Sequence, residues 1–286
     1  MTKRSVIVVY NPSSGSAVTS RRLHSMCTRA GLRITHLLSL DDTISRKLPP
    51  LAKRDVWVLA VGGDGTISAV ANILMHTNAI LVPLPGGTLN HFTKDLGINQ
   101  DLATAIRIAT KSKARLIDLA EINETYFINN SSIGVYPQSL RTRQRTEDKL
   151  GKWPAALWGL LRAFIVYRTY QVQIDQQTYV TPFIFVGNGD YRLEDVAAGG
   201  RSKLNAGILS VYIVNSPSRF NLIRIFSRAL IGRLHTDRDF TYYTTRQLTI
   251  NSSSRYIRIS HDGESTKLTF PLHYRIHPKS LRIVAP

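Results

Sequence analysis

The sequence predicts an α/β fold in two parts: a Rossmann-like α/β domain over residues 1–121, followed by a mainly antiparallel β-sandwich domain over residues 122–286. Three observations carry this. Short β-branched runs alternate with helix-period segments up to about Glu121, the pattern of a parallel sheet covered by helices. Beyond Glu121 strands follow one another with few helical patterns between them, as in an antiparallel sandwich. A length of 286 residues suits one large or two modest domains, and no Pro/Gly/Ser-rich linker separates the halves, so they should pack around a shared cleft.

In chain order, residues 5–10 read as a buried strand, NPSSG at 11–15 as a turn, and 17–30 as a helix closed by Gly31. Strands are expected at 32–38, 56–61 and 79–84, with helices at 67–76, 89–96 and 102–111. The second part reads as strands at 126–130, 170–174, 179–186, 209–214, 247–250, 256–259, 267–270 and 281–284, the last able to return to the first domain. Helical patterns at 154–168 and 219–232 interrupt them.

Composition narrows the function classes. With 43% hydrophobic and 20% charged residues and no low-complexity tract, the chain is globular. Cys27 is the only cysteine, which excludes an internal disulfide or a thiolate metal cluster and fits a reducing compartment. The formal charge of +18 draws the molecule toward anionic partners. No helix-turn-helix, zinc or RNA-recognition motif accompanies that charge, so nucleic acid is not expected as a partner. The first apolar run, residues 6–10, is too short for a signal-peptide core. The longest, WPAALWGLLRAFIV at 153–166, contains Arg162 and falls short of the roughly 20 residues that span a bilayer. A cytoplasmic, peripherally membrane-associated protein is expected.

Three loops that follow predicted strands carry the chemistry. Val61-Gly62-Gly63-Asp64-Gly65-Thr66 leads from an apolar strand into a helix, where glycine backbone N–H groups and the helix N-terminus can face an anion. No Gly-Lys-Ser/Thr follows, so this is not a P-loop. Asp64 among the glycines has no evident packing purpose, which favours a role at phosphate. Pro85-Gly86-Gly87-Thr88-Leu89-Asn90-His91-Phe92 follows a second strand, and its glycines permit close backbone approach while Thr88 and Asn90 offer hydrogen bonds to phosphate or ribose. Asn11-Pro12-Ser13-Ser14-Gly15 follows the first strand. In a parallel sheet all three lie at the carboxyl edge, where such sheets bind ligands.

NPSSG, GGDGT, PGGTLNHF and a late Asp262-Gly263-Glu264, in this order, resemble the diacylglycerol kinase catalytic-domain family, which also contains sphingosine, ceramide and bacterial lipid kinases. FINNSSIG at 127–134 and FVGNG at 185–189 extend the resemblance over nearly the whole chain. It implies a lipid kinase that moves the γ-phosphoryl group of ATP onto the hydroxyl of diacylglycerol or a related long-chain lipid, using Mg²⁺, in the cleft between the domains. Carried over, Asn11, Pro12, Ser14 and Gly15, the run Gly62, Gly63, Asp64, Gly65, Thr66, Ile67 and Ser68, and Gly86, Gly87, Thr88 and Asn90 line the ATP site, with Thr35 as a further contact. Asp64 stands by the phosphates and metal, and Asp262 and Glu264 supply the general base, which of the two being left open. Without the resemblance, Asp262-Gly263-Glu264 reads as a hairpin turn.

Two departures stand out. Ser68-Ala69-Val70 replaces the family's Asn-Glu-Val, and Asn205-Ala206-Gly207 replaces its Asp-Gly, which puts an accessory structural Mg²⁺ in doubt. The alternatives are a soluble nucleotide kinase similar to NAD kinase and a lipid-binding protein without catalysis. Docking on a membrane would use the basic amphipathic pattern at 219–232, with Arg224 and Arg228, or the basic stretch from Arg141 to Lys152. A homodimer is compatible with the sequence and not specified by it.

Overall fold

A computed structural model describes residues 3–12, 18–134, 168–191, 201, 203–215, 218 and 239–286. The helix predicted at 154–168 (Arg168 apart), the helix at 219–232, the basic stretch at 141–152, and Ser14 and Gly15 lie outside the described residues.

The first domain comprises β1 (Arg4–Tyr10), α1 (Ser20–Arg29), β2 (Leu32–Ser39), α2 (Ile44–Lys47), β3 (Trp57–Gly62), α3 (Asp64–Leu74), β4 (Ile80–Pro85), α4 (His91–Asp95) and α5 (Leu102–Ala109). β3 and β4 are buried along their whole length, as parallel strands covered on both faces require. α1 buries Leu23 and Cys27, one turn apart, and leaves Arg21, Arg22 and Arg29 exposed. Thr19 caps α1 and Asp101 caps α5, each side chain accepting a backbone N–H three residues on. The parallel strands run in the order β2-β1-β3-β4. That order reverses between β1 and β3, so the loops after these two strands flank the crevice where open α/β sheets take their ligands.

β5 (Ala114–Ile122) spans the expected boundary, its Ile117 and Leu119 in the core of the first domain and its Ala120 and Ile122 in that of the second. The second domain holds β6 (Thr125–Phe127), β7 (Asn130–Gly134), β8 (Tyr170–Ile174), β9 (Gln177–Thr181), β10 (Phe183–Asn188), β11 (Leu209–Val214), β12 (Phe240–Thr245), β13 (Gln247–Asn251), β14 (Tyr256–His261), β15 (Glu264–Thr269) and β16 (Leu272–Val284). One antiparallel sheet runs β12-β11-β10-β7-β14-β15. The other continues from the parallel strands as β4-β16-β13-β8-β9, with β5 pairing both β16 and β6. β16 is the joint: Ile283 pairs in parallel with Leu81 of β4, while Leu272 to Arg275 pair with β13. Ile122, Phe127, Val172, Leu248 and Tyr274 on this sheet meet Ile133, Ile184, Val211, Ile257 and Ile259 on the other in one core. Each fully buried aliphatic side chain there contributes roughly 1.5–3 kcal/mol.

Several predicted elements are redrawn. β5 was not expected as a strand, because Asp118 interrupts its apolar run; the carboxylate is buried and accepts N–H groups from Gly207 (2.6 Å) and Lys279 (2.7 Å). The strand predicted at 126–130 is two strands, since Ile128 and Asn129 leave the ladder. The strand predicted at 179–186 divides at Pro182, which lacks a ladder donor; β9 then pairs in one sheet and β10 in the other. β12 was unforeseen, and the last strand begins at Leu272, nine residues earlier than the predicted start at 281.

Candidate active site

The loops after β3 and β4 are packed backbone against backbone. A Cβ on Gly87 would stand 2.4 Å from Gly63 Cα, one on Gly86 2.9 Å from Gly62 N, and one on Gly62 2.3 Å from Thr66 Oγ1. Glycine at Gly86 and Gly87 is therefore required by loop-to-loop contact, and at Gly62 by the Thr66 side chain that folds back on it. Gly86 N donates to Gly62 O at 3.0 Å, and Asn11 N donates to Val61 O at 3.3 Å, which gathers all three strand-end loops at one edge. Gly63 is the N-cap of α3 and brings no side chain to its first turn, so the helix presents its N-terminal amides there.

Asp64 does have a packing purpose, contrary to the expectation from sequence. Its Oδ2 accepts the N–H of His91 at 3.1 Å and its Oδ1 that of Phe92 at 2.8 Å, so it caps α4 across the two loops. Asn90, in the left-handed region at φ 53°, exchanges two bonds with Gly87: its Oδ1 accepts the N–H at 2.9 Å and its Nδ2 donates to the C=O at 3.0 Å. That amide braces the loop.

Asp262 and Glu264 occupy different environments. Asp262 and Gly263 form the two-residue turn between β14 and β15 at φ 45° and 83°, the left-handed pair that Asp-Gly hairpins favour. The Asp262 carboxylate turns inward, 7% exposed. Its Oδ2 accepts Ser68 Oγ (2.5 Å) and Ile128 N (2.7 Å), and its Oδ1 accepts Asn129 N (2.8 Å) and Asn130 N (3.3 Å). Burial pushes this carboxyl above its ordinary range, while the hydrogen bonds from Ser68, Ile128 and Asn129 pull it down. Glu264 is exposed, and its Oε1 lies 3.3 Å from where a Cβ on Gly65 would sit. One carboxylate of the motif is thus consumed by protein donors, and the other faces the first glycine loop from the second domain.

Other expected contacts fall elsewhere. Ile67 is wholly buried in the core of the first domain, and the buried Thr66 side chain packs on Gly62. Ser68 serves Asp262. Thr35 sits at a bulge inside β2, where its Oγ1 donates to Val6 O at 3.1 Å, four residues before the strand end that carries the other loops. The contacts these four side chains make are with the protein itself. Pro12 and Thr88 are exposed at the mouth. Sequence reasoning missed Asp95 and Arg201, whose buried ion pair (2.9 Å) joins α4 to the second domain. Among 37 Lys and Arg nothing marked Arg201 out.

The residues fit a polyphosphate: glycines whose backbones meet at Gly62, Gly63, Gly86 and Gly87, a helix N-terminus, and an Asp64 carboxylate already taken up by the amides of His91 and Phe92. For Mg²⁺ the protein offers less, since no group of three His, Cys, Asp or Glu side chains is gathered among the described residues. Asp64, the residue expected at a metal, has both carboxylate oxygens on the amides of His91 and Phe92.

The family model of the diacylglycerol kinase catalytic domain matches residues 5–122, and that of the YegS C-terminal NAD kinase beta sandwich-like domain matches residues 142–285. The chain is 28% identical over 272 residues to a diacylglycerol kinase of Bacillus subtilis (strain 168), covering 90% of this chain and 88% of that protein. It is 24% identical over 270 residues to a diacylglycerol kinase of Staphylococcus saprophyticus, with coverage of 90% and 88%. The crystal structure of a diacylglycerol kinase from Bacillus anthracis str. Sterne superposes with a TM-score of 0.68 at 21% identity, covering 99% of this chain and 97% of that one, a likeness of fold.

Proposed function

The chain belongs to the diacylglycerol kinase catalytic-domain family of phosphotransferases, and from that membership we propose that it transfers the γ-phosphoryl group of ATP to the hydroxyl of diacylglycerol or a related long-chain lipid. One observation carries the reading: Glu264, brought by the β14–β15 turn of the second domain, faces Gly65 at the start of α3 in the first. A general base must reach the acceptor hydroxyl while the phosphates lie on the other side of the same opening.

In this reading the amides of Gly63 to Gly65 and the N-terminus of α3 hold the phosphates. Glu264 orients the lipid hydroxyl and takes its proton as the new O–P bond forms and the bond from the γ-phosphorus to the bridging oxygen breaks, leaving ADP and a lipid phosphate. Asp262 is a positioning group, since its donors keep the turn that carries Glu264 in place. Mg²⁺ on the nucleotide supplies neutralisation of the transferred charge.

The test is turnover of the pure protein with labelled ATP, Mg²⁺ and mixed micelles containing diacylglycerol. Glu264→Gln should lower kcat by about 10²- to 10⁴-fold, the usual worth of general base catalysis. Near wild-type turnover in that variant would show that the base lies elsewhere.

A further inference from the structure

The side chain of Arg201 is completely buried, an unusual place for a guanidinium, and four donated bonds hold it there. Nε donates to Asp95 Oδ2 at 2.9 Å, Nη1 to Ile128 O at 2.6 Å and Asn188 O at 3.0 Å, and Nη2 to Asn129 Oδ1 at 2.9 Å. Phe92 and Tyr191 lie beside its plane at 5.8 and 5.1 Å. Asp95 closes α4 in the first domain; Ile128, Asn129 and Asn188 belong to the second.

These contacts complete a ring. Asp64, in the first turn of α3, holds the start of α4; Asp95, at the end of α4, holds Arg201. Arg201 takes the carbonyl of Ile128, whose own N–H holds Asp262, and Asp262 takes the hydroxyl of Ser68, again on α3. The links are hydrogen bonds to charged groups, which are the strong, directional ones, joined through Ile128 and along one turn each of α3 and α4. The phosphate-facing helix and the turn that carries Glu264 are therefore fastened twice, once directly through Ser68 and once around through Arg201.

We propose that Arg201 is a positioning residue that sets the reach of Glu264 across the interdomain opening by clamping α4 to the Ile128–Asn129 peptide. This rests on the phosphoryl-transfer reading of the site. Arg201 touches no reacting atom; it acts through Ile128 and Asp262. A lysine could keep the charge beside Asp95, but it lacks the planar fork that reaches Ile128, Asn129 and Asn188 together.

The experiment compares Arg201→Met, Arg201→Lys and the double variant Arg201→Met/Asp95→Leu. Removing both charges leaves no unpaired buried ion, so the double variant should regain the folding stability that Arg201→Met loses. In Arg201→Met and in the double variant kcat should fall about 10- to 100-fold, the cost of small misplacement, while the KM for ATP stays within about twofold. Arg201→Lys should recover stability more than kcat. Recovery of kcat together with stability in the double variant would make Arg201 a structural ion-pair partner and overturn the proposal, as would a raised KM for ATP with unchanged kcat. If Arg201→Met does not fold, the double variant carries the test. Amide exchange over residues 128–130 reads the same coupling without turnover: it should quicken in the double variant even if the protein proves to have another substrate. Unchanged exchange there would sink the clamp independently of the reaction.

Discussion

Asp262 and Glu264 stand two positions apart in one hairpin and do different work because the turn between them points their side chains to opposite surroundings. Asp262 meets three backbone N–H groups that can only donate, so both of its oxygens are needed as acceptors, and only the Ser68 hydroxyl can exchange roles with it. Asp262→Asn sets an amide NH₂ against those donors. It should cost about 3 kcal/mol of stability, in the range for breaking a buried charged hydrogen-bond set, and lower turnover as well. Glu264→Gln, at an exposed site, should leave the denaturation midpoint unchanged. Equal midpoints for both variants in urea would contradict the division of roles. Ser68 belongs to the same set, since its short hydroxyl reaches Asp262 at 2.5 Å from the second turn of α3.

At the scale of elements, the two glycine loops behave as one piece. Gly87→Ala forces a Cβ to 2.4 Å from the Gly63 backbone, which cannot yield without parting the loops, whereas a Cβ on Gly65 meets only the tip of Glu264 at 3.3 Å. Overpacking of this kind costs about 1–3 kcal/mol. Calorimetry should therefore show ATP affinity reduced at least about tenfold in Gly87→Ala and retained in Gly65→Ala; equal affinities would break the idea of a paired cradle. The strands that end in these loops were readable because uniformly buried β-branched runs have few other interpretations, as in WVLAVG of β3. What escaped reading depended on partners far away in sequence. Asp118 looks like an interruption until Gly207 and Lys279 arrive to satisfy it, and Asp64 looks free until the His91 and Phe92 amides fold over it. The bulge at Thr35 was likewise not readable from local sequence. Asp262-Gly263 was legible as a hairpin turn, and the structure shows that turn.

For the whole molecule the formal charge of +18 must be reconciled with the lipid substrate proposed above. No helix among the described residues is long and apolar enough to cross a membrane, so access by surface docking is the expectation. Arg224 and Arg228 lie outside the described residues, but another basic surface is in view. Arg21, Arg22, Arg29 and Arg107 line a groove between α1 and α5, floored by Met26, Ala30 and Ala103, with no carboxylate in its lining. Guanidinium groups pair bidentately with phosphate, and the apolar floor suits the carbon backbone of a lipid headgroup, so an anionic phospholipid surface is the occupant to test. Basic side chains at such a surface contribute about 1 kcal/mol each, screened over about 8 Å at physiological salt. Reversing Arg22 and Arg107 to Glu changes four charge units, which should weaken co-sedimentation with phosphatidylglycerol vesicles by about 1,000-fold. Wild-type binding should fall with added salt and be absent on neutral phosphatidylcholine. Undiminished co-sedimentation of the double variant would exclude this groove and move the docking surface to the segment that contains Arg224 and Arg228.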